Sequence, residues 1–407
     1  MKKLKEDKLE KLKNICEYAY FNTNFYNSPI YKVEGDMETY YKKIPCLSKK
    51  ILRENFTELL SNNYVGNYLD IKTSGSSGSP TVSRWGKNEY LISTMNVWKM
   101  RREMGAELND VIYYFWGLDN KNIIKKIDTS SYEISRVFTE ESTKEIVNHM
   151  SKQGGIILYG SASTIYNFTQ QLINIKEKIN NVKLIELNGE LLNNYEEKLI
   201  MKFWNCSILD NYGAREVWPI GFKCECGNFH ISENVFVSEE NGELIVTSLI
   251  KKCQPLIKYK IGDLGYVCWK LCKCGRKSEY IQNLVGRKND YIYIYNGSKI
   301  HWSYLSRPIE QYILNSKNII EYYVEQEENY QIYLYLVTKS NEVLQKERDE
   351  LISICCSVLG KVVVKVICVN QIKQSDRGKK CYFICKVDRS KEDDEYSVIS
   401  NDCGKRY

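Results

Sequence analysis

Short apolar runs alternate with amphipathic stretches through the middle of this chain, from about residue 70 to residue 250. Three runs have the length and the flanking turn residues of buried strands, and they lie at 110–116, 154–160 and 182–189. The intervening stretches 161–178 and 192–204 predict helices. Because strand–helix alternation buries a sheet between helices, the sequence predicts an α/β fold for this region.

The segment before this region predicts a helical beginning. Leucines at near-helical spacing predict helices within residues 1–60, and Ser48 is placed to cap one of them. Residues 70–290 follow with the predicted sheet. We therefore expect a large N-terminal domain that covers residues 1–290.

The remainder of the chain predicts a second, smaller domain. Residues 291–387 combine predicted helices at 305–315 and 342–357 with strand-like runs, which is typical of a small α+β unit. Residues 388–407 are polar and predict a disordered tail.

The composition narrows the class of protein. The 407 residues carry a net charge of +7, and 43% of them are hydrophobic, as in a folded globular protein. The lysines are scattered, so the pattern disfavours nucleic-acid binding. No apolar run approaches the roughly 20 residues of a membrane span, and the charged beginning lacks the apolar centre of a signal peptide. We expect a cytoplasmic protein whose 15 cysteines are reduced or bind metal.

The segment TSGSSGSP at 73–80 is rich in small residues and hydroxyl groups. Its glycines permit unusual backbone angles, so its N–H groups and hydroxyls could surround a phosphate. It lacks the Gly-Lys-Ser/Thr ending of a P-loop, and plain surface loops have a similar composition. From this segment alone, an anion-binding loop and a surface loop both remain open.

A series of short motifs follows that segment along the chain. They are NGE (188–190), DNYGARE (210–216), YKIGDLG (259–265), GRKND (286–290) and SDRGKK (375–380). In type and order, the series resembles the motifs of the adenylate-forming superfamily, which includes acyl-CoA synthetases, peptide-synthetase adenylation domains and luciferases. The early segments YAYFNTNFYNSPIY and YYKKIPCLSKKILREN are similar to the opening of its phenylacetate–CoA ligase-like branch.

This resemblance implies a large N-terminal adenylation domain and a small mobile C-terminal domain. It implies an AMP-forming ligase that uses ATP to convert a small carboxylic acid into an acyl-adenylate. The acyl group would then pass to the thiol of coenzyme A or of an acyl carrier protein, or to an amine. Two alternatives remain open: adenylation of a larger peptide- or polysaccharide-linked carboxylate, and a non-catalytic ATP-binding homologue.

The resemblance also implies roles for individual residues. Glu216 is the implied Mg²⁺ ligand, Asp263 the contact to the ribose hydroxyls, and Lys379 the mobile cation of adenylation. Arg287 would support the ribose or the phosphates, and spacing does not separate Lys379 from Lys380. The other implied ATP contacts are Thr73, Ser74, Gly75, Ser76, Ser77, Gly78, Gly189, Glu190, Asn211, Tyr212 and Gly213.

Two positions depart from the superfamily pattern. Arg215 stands where Thr is usual, which removes a hydroxyl contact to phosphate and offers a guanidinium instead. Asn289 stands at the hinge position that usually carries Asp or Lys, with Asp290 next to it. These departures keep the non-catalytic alternative open.

Two cysteine clusters, KCECGNFH at 223–230 and CWKLCKCGR at 268–276, each contain Cys-x-Cys-Gly. Zn²⁺ prefers four soft ligands in a tetrahedron, and closely spaced cysteines on turns can provide them. His230 or Cys268 could replace one ligand, and reduced thiols without metal are the alternative reading. The predicted zinc ligands are Cys224, Cys226, Cys272 and Cys274.

The predicted acid pocket draws on the ends of several predicted strands. Its aromatic residues are compatible with an aryl or arylacetic acid, although aromatic rings fill ordinary cores as readily. These residues are Tyr114, Trp116, Tyr159 and Trp218.

Overall fold

The computed structural model describes residues 2–73, 81–117, 123–190, 194–284, 290–295, 298–373 and 381–387. None of the described helices combines the length and the apolar character that a membrane crossing requires. Within these ranges the helices are α1 (Lys2–Asn22), α2 (Met37–Lys43), α3 (Lys49–Glu54), α4 (Lys87–Glu103), α5 (Glu140–Met150), α6 (Ala162–Asn174), α7 (Asn194–Trp204), α8 (Ser303–Asn315) and α9 (Gln345–Leu359).

The strands of the described ranges fall into five sheets. In chain order they are β1 (Tyr68–Thr73), β2 (Thr81–Gly86), β3 (Val111–Gly117), β4 (Ile124–Lys126), β5 (Ser131–Ser135), β6 (Ile156–Gly160), β7 (Val182–Asn188), β8 (Ser207–Ala214), β9 (Val217–Lys223), β10 (Phe229–Ile231), β11 (Val235–Glu240), β12 (Glu243–Ser248), β13 (Tyr259–Leu264), β14 (Tyr266–Cys268), β15 (Tyr280–Gln282), β16 (Tyr291–Tyr293), β17 (Lys299–His301), β18 (Ile319–Gln326), β19 (Ile332–Thr338), β20 (Val364–Cys368) and β21 (Phe383–Cys385).

The elements predicted from the hydrophobic pattern are confirmed. The three predicted strands correspond to β3, β6 and β7, and the two intervening helices to α6 and α7. Ser48 caps α3, because its Oγ accepts a hydrogen bond from the Ile51 backbone N–H at 3.2 Å. The helices predicted at 305–315 and 342–357 correspond to α8 and α9.

A ten-stranded sheet with the order β14-β15-β10-β9-β8-β7-β6-β3-β5-β4 lies at the centre of the larger part of the chain. Strands β5, β3, β6, β7 and β8 run parallel, and the sheet becomes antiparallel beyond β8. Along β6, Ile156 and Leu158 pack against α5, α6 and α7, whereas Ile157 and Tyr159 pack against α4. Both faces of the sheet are therefore buried, which explains the continuous apolar runs in the sequence.

The N-terminal helices pack against the three-stranded sheet β11-β12-β13 in a second apolar core. A buried ion pair between Lys8 of α1 and Glu279 contributes to this attachment. Lys8 also donates hydrogen bonds to the carbonyl oxygens of Ser232 and Val235, at 2.9 and 2.8 Å. The first helix is thus fixed to the sheet through a cation whose donors are satisfied.

The C-terminal part forms a separate core from the four-stranded sheet β20-β19-β18-β21 and helices α8 and α9. This α+β unit contacts the rest of the chain through α7 and α8. Its Tyr382 hydroxyl donates to Glu196 Oε1 of α7 at 2.7 Å, and Glu196 is buried. The predicted boundary near 290 remains a prediction, since 285–289 lie outside the described residues.

Leu158→Ala tests the two-sided burial of the sheet. The side chain is fully buried on the central strand β6. We expect the free energy of unfolding to fall by about 2–5 kcal/mol, because the substitution removes apolar contacts and leaves a cavity. Urea denaturation measures the loss. The matched control is Leu91→Ala on α4, where the leucine is 56% exposed and the stability should change by under ~1 kcal/mol.

Candidate functional site

Two of the motifs, NGE and DNYGARE, lie where the ten-stranded sheet changes from parallel to antiparallel. Asn211 of β8 pairs in register with Asn188, the last residue of β7, so Gly189 and Glu190 follow beside it. In open α/β sheets, ligands bind outside the carboxyl ends of the parallel strands. The fold thus brings the NGE and DNYGARE motifs to one edge.

Two tyrosine hydroxyls join the DNYGARE motif to the YKIGDLG motif. Tyr212 donates to Asp263 Oδ2 at 2.8 Å, and Tyr259 donates to Glu216 Oε1 at 3.0 Å. Burial, together with the Glu216 charge, raises the pKa of Tyr259, so its hydroxyl stays protonated and remains a donor. Each motif therefore orients a carboxylate of the other.

The two carboxylates differ in their surroundings. Glu216 is only 2% exposed, whereas Asp263 is partly exposed. Glu216 lies in the β8–β9 turn, and Asp263 lies near the end of β13. A buried, oriented carboxylate is suited to holding a cation, and an accessible one is suited to accepting hydroxyl donors.

The Glu216 turn is fastened to the hairpin whose strands flank residues 74–80. Strands β1 and β2 pair up to Thr73 and Thr81. Arg215 Nη1 donates to the Lys72 carbonyl oxygen at 3.0 Å, and Trp85 Nε1 donates to the Arg215 carbonyl oxygen at 3.1 Å. The arginine that replaces the superfamily threonine therefore contacts the end of β1.

Glu190 projects from the end of β7 toward the first turn of α6. Its Oε2 accepts from the Ser163 backbone N–H at 3.0 Å, and its buried Oε1 has no hydrogen-bond partner among the described residues. Gly189 has φ +81°, a left-handed conformation that favours glycine. Glycine at position 189 therefore fits the backbone of this turn, and Glu190 keeps one buried carboxylate oxygen that has no partner among the described residues.

Gly213 admits an aromatic ring beside the strand edge. A Cβ at this position would lie 3.0 Å from Cδ1 of Trp218, so a larger residue would displace the indole. Trp218 stacks on Tyr90 with ring centroids 6.2 Å apart, and its Nε1 is buried without a partner in the described part of the chain.

Three of the four predicted pocket aromatics form one cluster. Tyr114 and Trp116 stack with ring centroids 4.4 Å apart, and Tyr159 lies edge-on to Trp116 at 5.2 Å. The Tyr159 hydroxyl accepts from Asn188 Nδ2 at 2.6 Å. The fourth, Trp218, stacks on Tyr90 instead, so the predicted set is divided between this cluster and the Tyr90–Trp218 pair.

A buried ion pair that the sequence analysis missed lies beside this cluster. Arg101 Nε donates to Glu186 Oε2 at 2.6 Å, and Asn211 Nδ2 donates to Glu186 Oε1 at 2.6 Å. Glu186 is fully buried, and this burial raises its pKa while the Arg101 charge opposes the rise. An isolated Arg on a helix and a lone Glu in a strand gave no signal that they would meet.

Four ligand-type side chains meet between the two cysteine clusters. The ligand atoms of Cys224, His230, Cys272 and Cys274 lie within 4.8 Å of one another. His230 Nε2 is 3.1 Å from Cys274 Sγ, and the Sγ atoms of Cys224 and Cys272 are 3.9 Å apart. The other ring nitrogen, Nδ1, contacts Ser278 Oγ at 2.6 Å, which fixes the ring orientation. This arrangement is a possible Cys/His metal site.

The group contains His230, the replacement ligand that the sequence leaves open, and it does not contain Cys226. Cys226 lies inside the turn closed by the Cys224 N–H and the Asn228 carbonyl oxygen, and its side chain is exposed. His230, on β10, returns to the cluster because β9 and β10 pair as a hairpin. Cys268 is outside the group and has Gln282 as its neighbour.

The pKa values of His230 and Cys272 suit a soft metal ion, whereas burial raises the pKa of Cys274 to about 11. Burial lowers the pKa of His230 to about 4, so its ring is neutral near pH 7. Burial opposes ionisation of Cys272, but hydrogen bonds from the Cys274 backbone and from Asn228 lower its pKa to about 7. A neutral imidazole and a thiolate are the ligand forms that Zn²⁺ binds.

Several predicted site residues lie outside the described residues. The backbone of Thr73 ends β1, and nothing further of that residue is described. The cations Arg287, Lys379 and Lys380 fall in the ranges that are left out. So do the loop residues Ser74, Gly75, Ser76, Ser77 and Gly78.

No protein-family profile matches the sequence. A phenylacetate–coenzyme A ligase from Thermus thermophilus is 22% identical over 304 residues, which are 67% of this chain and 68% of that protein. A crystal structure of 2-hydroxyisobutyryl-CoA ligase in the postadenylation state, in complex with R3-HIB-AMP, gives a TM-score of 0.73 at 17% identity and covers 94% of this chain and 89% of that one. The chain has the fold of the adenylate-forming CoA ligases.

A second state of the same ligase is less similar to this chain. In its thioesterification state, in complex with 2-HIB-AMP and CoA, 2-hydroxyisobutyryl-CoA ligase gives a TM-score of 0.55 at 15% identity, over 93% of this chain and 89% of that one. The predicted fold class is confirmed, and the described structure is more similar to the postadenylation state than to the thioesterification state.

Arg101→Met tests the buried pair beside the aromatic cluster. We expect a loss of roughly 3–5 kcal/mol in the free energy of unfolding, because Glu186 is left buried without its cation. The pKa of Glu186 should then rise further, so the loss should be smaller at pH 5, where the carboxyl can protonate, than at pH 8. Urea denaturation at the two pH values measures it.

The control for this prediction lies on the same helix. Arg102 is exposed, and Arg102→Met should change the stability by under ~0.5 kcal/mol. Adding Glu186→Gln to Arg101→Met should recover part of the loss. An equal loss of stability in Arg101→Met and Arg102→Met would contradict the assignment of a buried pair.

Proposed function

We propose that this protein is an AMP-forming acid–CoA ligase. One observation carries the proposal: the hydrogen bonds from Tyr212 to Asp263 and from Tyr259 to Glu216 link two of the superfamily motifs beside the carboxyl end of β8. The phenylacetate–CoA and 2-hydroxyisobutyryl-CoA ligases named above support the same reaction class.

ATP would bind across the edge where these motifs meet. The segment 73–80 would surround the phosphates with backbone N–H groups and hydroxyls. Asp263 would accept the ribose hydroxyls, with its orientation held by Tyr212. Gly189 and Glu190 would line the nucleotide from the end of β7.

Glu216 is the proposed Mg²⁺ ligand. Its carboxylate is buried, is oriented by Tyr259, and lies in the turn fastened to the β1–β2 hairpin. An oxygen ligand of this kind fits a hard cation. When bound, Mg²⁺ would neutralise phosphate charge. The chain's own contribution is to hold that carboxylate beside the segment that binds the phosphates.

The first half-reaction joins the acid to the α-phosphate and releases pyrophosphate. Lys379 would supply positive charge to the carboxylate and the α-phosphate during this step. Tyr382, which follows the SDRGKK motif, donates to Glu196 of the larger part. That contact joins the segment after the motif to α7.

The second half-reaction would pass the acyl group to the thiol of coenzyme A, releasing AMP. CoA is the acceptor in the names of the relatives, and a carrier-protein thiol or an amine is the alternative acceptor. The acid would lie against the Tyr114–Trp116 stack and Tyr159, which suits a small acid with a flat or branched apolar part. The location of the protein in the cytoplasm stays a prediction from the sequence.

Carboxylate-dependent ATP–pyrophosphate exchange tests the first half-reaction. We expect exchange with one class from a panel of aryl, arylacetic, fatty and amino acids, followed by loss of free CoA thiol with the same acid. Lys379→Ala should lower exchange by at least ~100-fold, because a charge that acts in the transition state is lost, while ATP binding stays nearly unchanged.

Lys380→Ala is the matched control, and it should retain most of the exchange. The reverse ranking would assign the catalytic role to Lys380. ATP binding without exchange on any small acid would overturn the small-acid proposal and favour the larger carboxylate or the non-catalytic homologue. Absence of ATP binding would overturn the ligase proposal as a whole.

We also propose that Cys224, His230, Cys272 and Cys274 bind a structural Zn²⁺. Three sulfurs and one imidazole nitrogen form a closed four-ligand set without a free position for a substrate. The ligands come from the β9–β10 turn, from β10 and from the segment between β14 and β15, so the ion would fasten that segment to the β9–β10 hairpin.

Metal analysis of the purified protein tests this site. We expect about one zinc per chain, and Cys272→Ser should release it and lower the midpoint of thermal unfolding, because a ligand of the closed set is lost. Cys226→Ser should keep both the zinc and the midpoint. Loss of zinc in Cys226→Ser alone would restore the set expected from the sequence.

A further inference from the structure

Lys251 is a buried lysine to which the proposed reaction gives no role. Burial lowers its pKa to about 7, and the charges of Glu89 and Glu216 oppose this shift. It lies between β12 and β13, and its side chain is fully buried. Its Nζ donates to Ser83 Oγ at 2.5 Å and to the Glu216 carbonyl oxygen at 3.3 Å. The ammonium group also lies 4.8 Å from the centre of the Trp85 ring.

Both hydrogen-bond acceptors of Lys251 are neutral atoms. A buried ammonium group loses much of its hydration, and neutral acceptors and an aromatic face replace only part of it. Lys251 is thus an expensive residue at a packed site, where an apolar residue of similar length would avoid the desolvation. What distinguishes Lys251 is the pair of segments that its donors connect.

Lys251 connects the strand after the Ser/Gly-rich segment to the turn that carries Glu216. Ser83 is the third residue of β2, whose first residue, Thr81, directly follows that segment. One other link, from Trp85 to Arg215, joins the same two elements, and the bond from Arg215 to Lys72 joins the turn to the neighbouring strand β1. Lys251 comes from a third segment and contacts both elements at once, so it fixes the distance between them.

We propose that Lys251 is a positioning residue that holds the Glu216 turn against β2, so that the triphosphate and its cation bind between two correctly spaced elements. This inference rests on the proposed function. In that function Glu216 would hold the cation against the triphosphate, and the position of its turn depends on the Lys251 contacts. A displacement of ~1 Å between such groups can cost about 100-fold in rate.

Nucleotide binding measured by calorimetry tests the proposal without turnover. Lys251→Met, compared with wild type, should weaken binding of Mg²⁺–ATP at least 10-fold, because both links of the ammonium group are lost. Binding of AMP, which lacks the β- and γ-phosphates, should change by under 2-fold. The half-saturating Mg²⁺ concentration at fixed ATP should rise by a similar factor.

Lys252→Met is the matched control, since Lys252 is the exposed neighbour on the same segment. It should bind both nucleotides as wild type does. If Lys251→Met does not fold, Ser83→Ala removes one of the two acceptors and should weaken Mg²⁺–ATP binding with the same preference over AMP. Lys251→Arg should recover part of the lost affinity for Mg²⁺–ATP, because it restores the donors.

Unchanged Mg²⁺–ATP affinity in the folded variants would overturn the positioning role and leave the proposed ligase function intact. Equal losses for Mg²⁺–ATP and AMP would also overturn it, since they would indicate a general loss of structure. A wild-type protein that binds neither nucleotide would instead overturn the proposed function itself.

Discussion

The central sheet is covered by helices on both faces, and this constraint decides where the chain can place a site. Apolar residues of β6 face α5, α6 and α7 on one side and α4 on the other. Polar chemistry is therefore restricted to strand ends and to the turns that follow them. The motif residues obey this rule, since Gly189, Glu190 and Glu216 all follow the ends of β7 and β8.

At that edge, neutral phenols organise charged groups. A tyrosine hydroxyl can orient a carboxylate without cancelling its charge, whereas a lysine in the same place would neutralise it. Tyr212 and Tyr259 therefore preserve negative charge at Asp263 and Glu216 while fixing both side chains. The nearby basic side chains donate to other atoms. Arg215 donates to the Lys72 carbonyl oxygen, and Lys251 donates to Ser83 Oγ and to the Glu216 carbonyl oxygen.

Sequence reasoning identified the elements and the motif residues, because both depend on short-range patterns. The apolar runs fixed β3, β6 and β7 within two residues, and Ser48 was recognisable as a helix cap. It failed where residues distant in the chain meet. The Arg101–Glu186 pair and the Lys251 contacts depend on how α4, β2 and the turns pack. The choice between Cys226 and His230 likewise depended on the geometry of the β9–β10 hairpin.

The ends of the large sheet have a consequence for the behaviour of the protein at high concentration. Its outermost strands, β4 and β14, are only three residues long, and β4 carries the exposed Lys125 and Lys126. Unpaired edge strands invite pairing with another chain, and short length and lysine side chains oppose it. A sheet of ten strands thus offers little backbone to a second copy, and edge-to-edge aggregation is disfavoured from both sides.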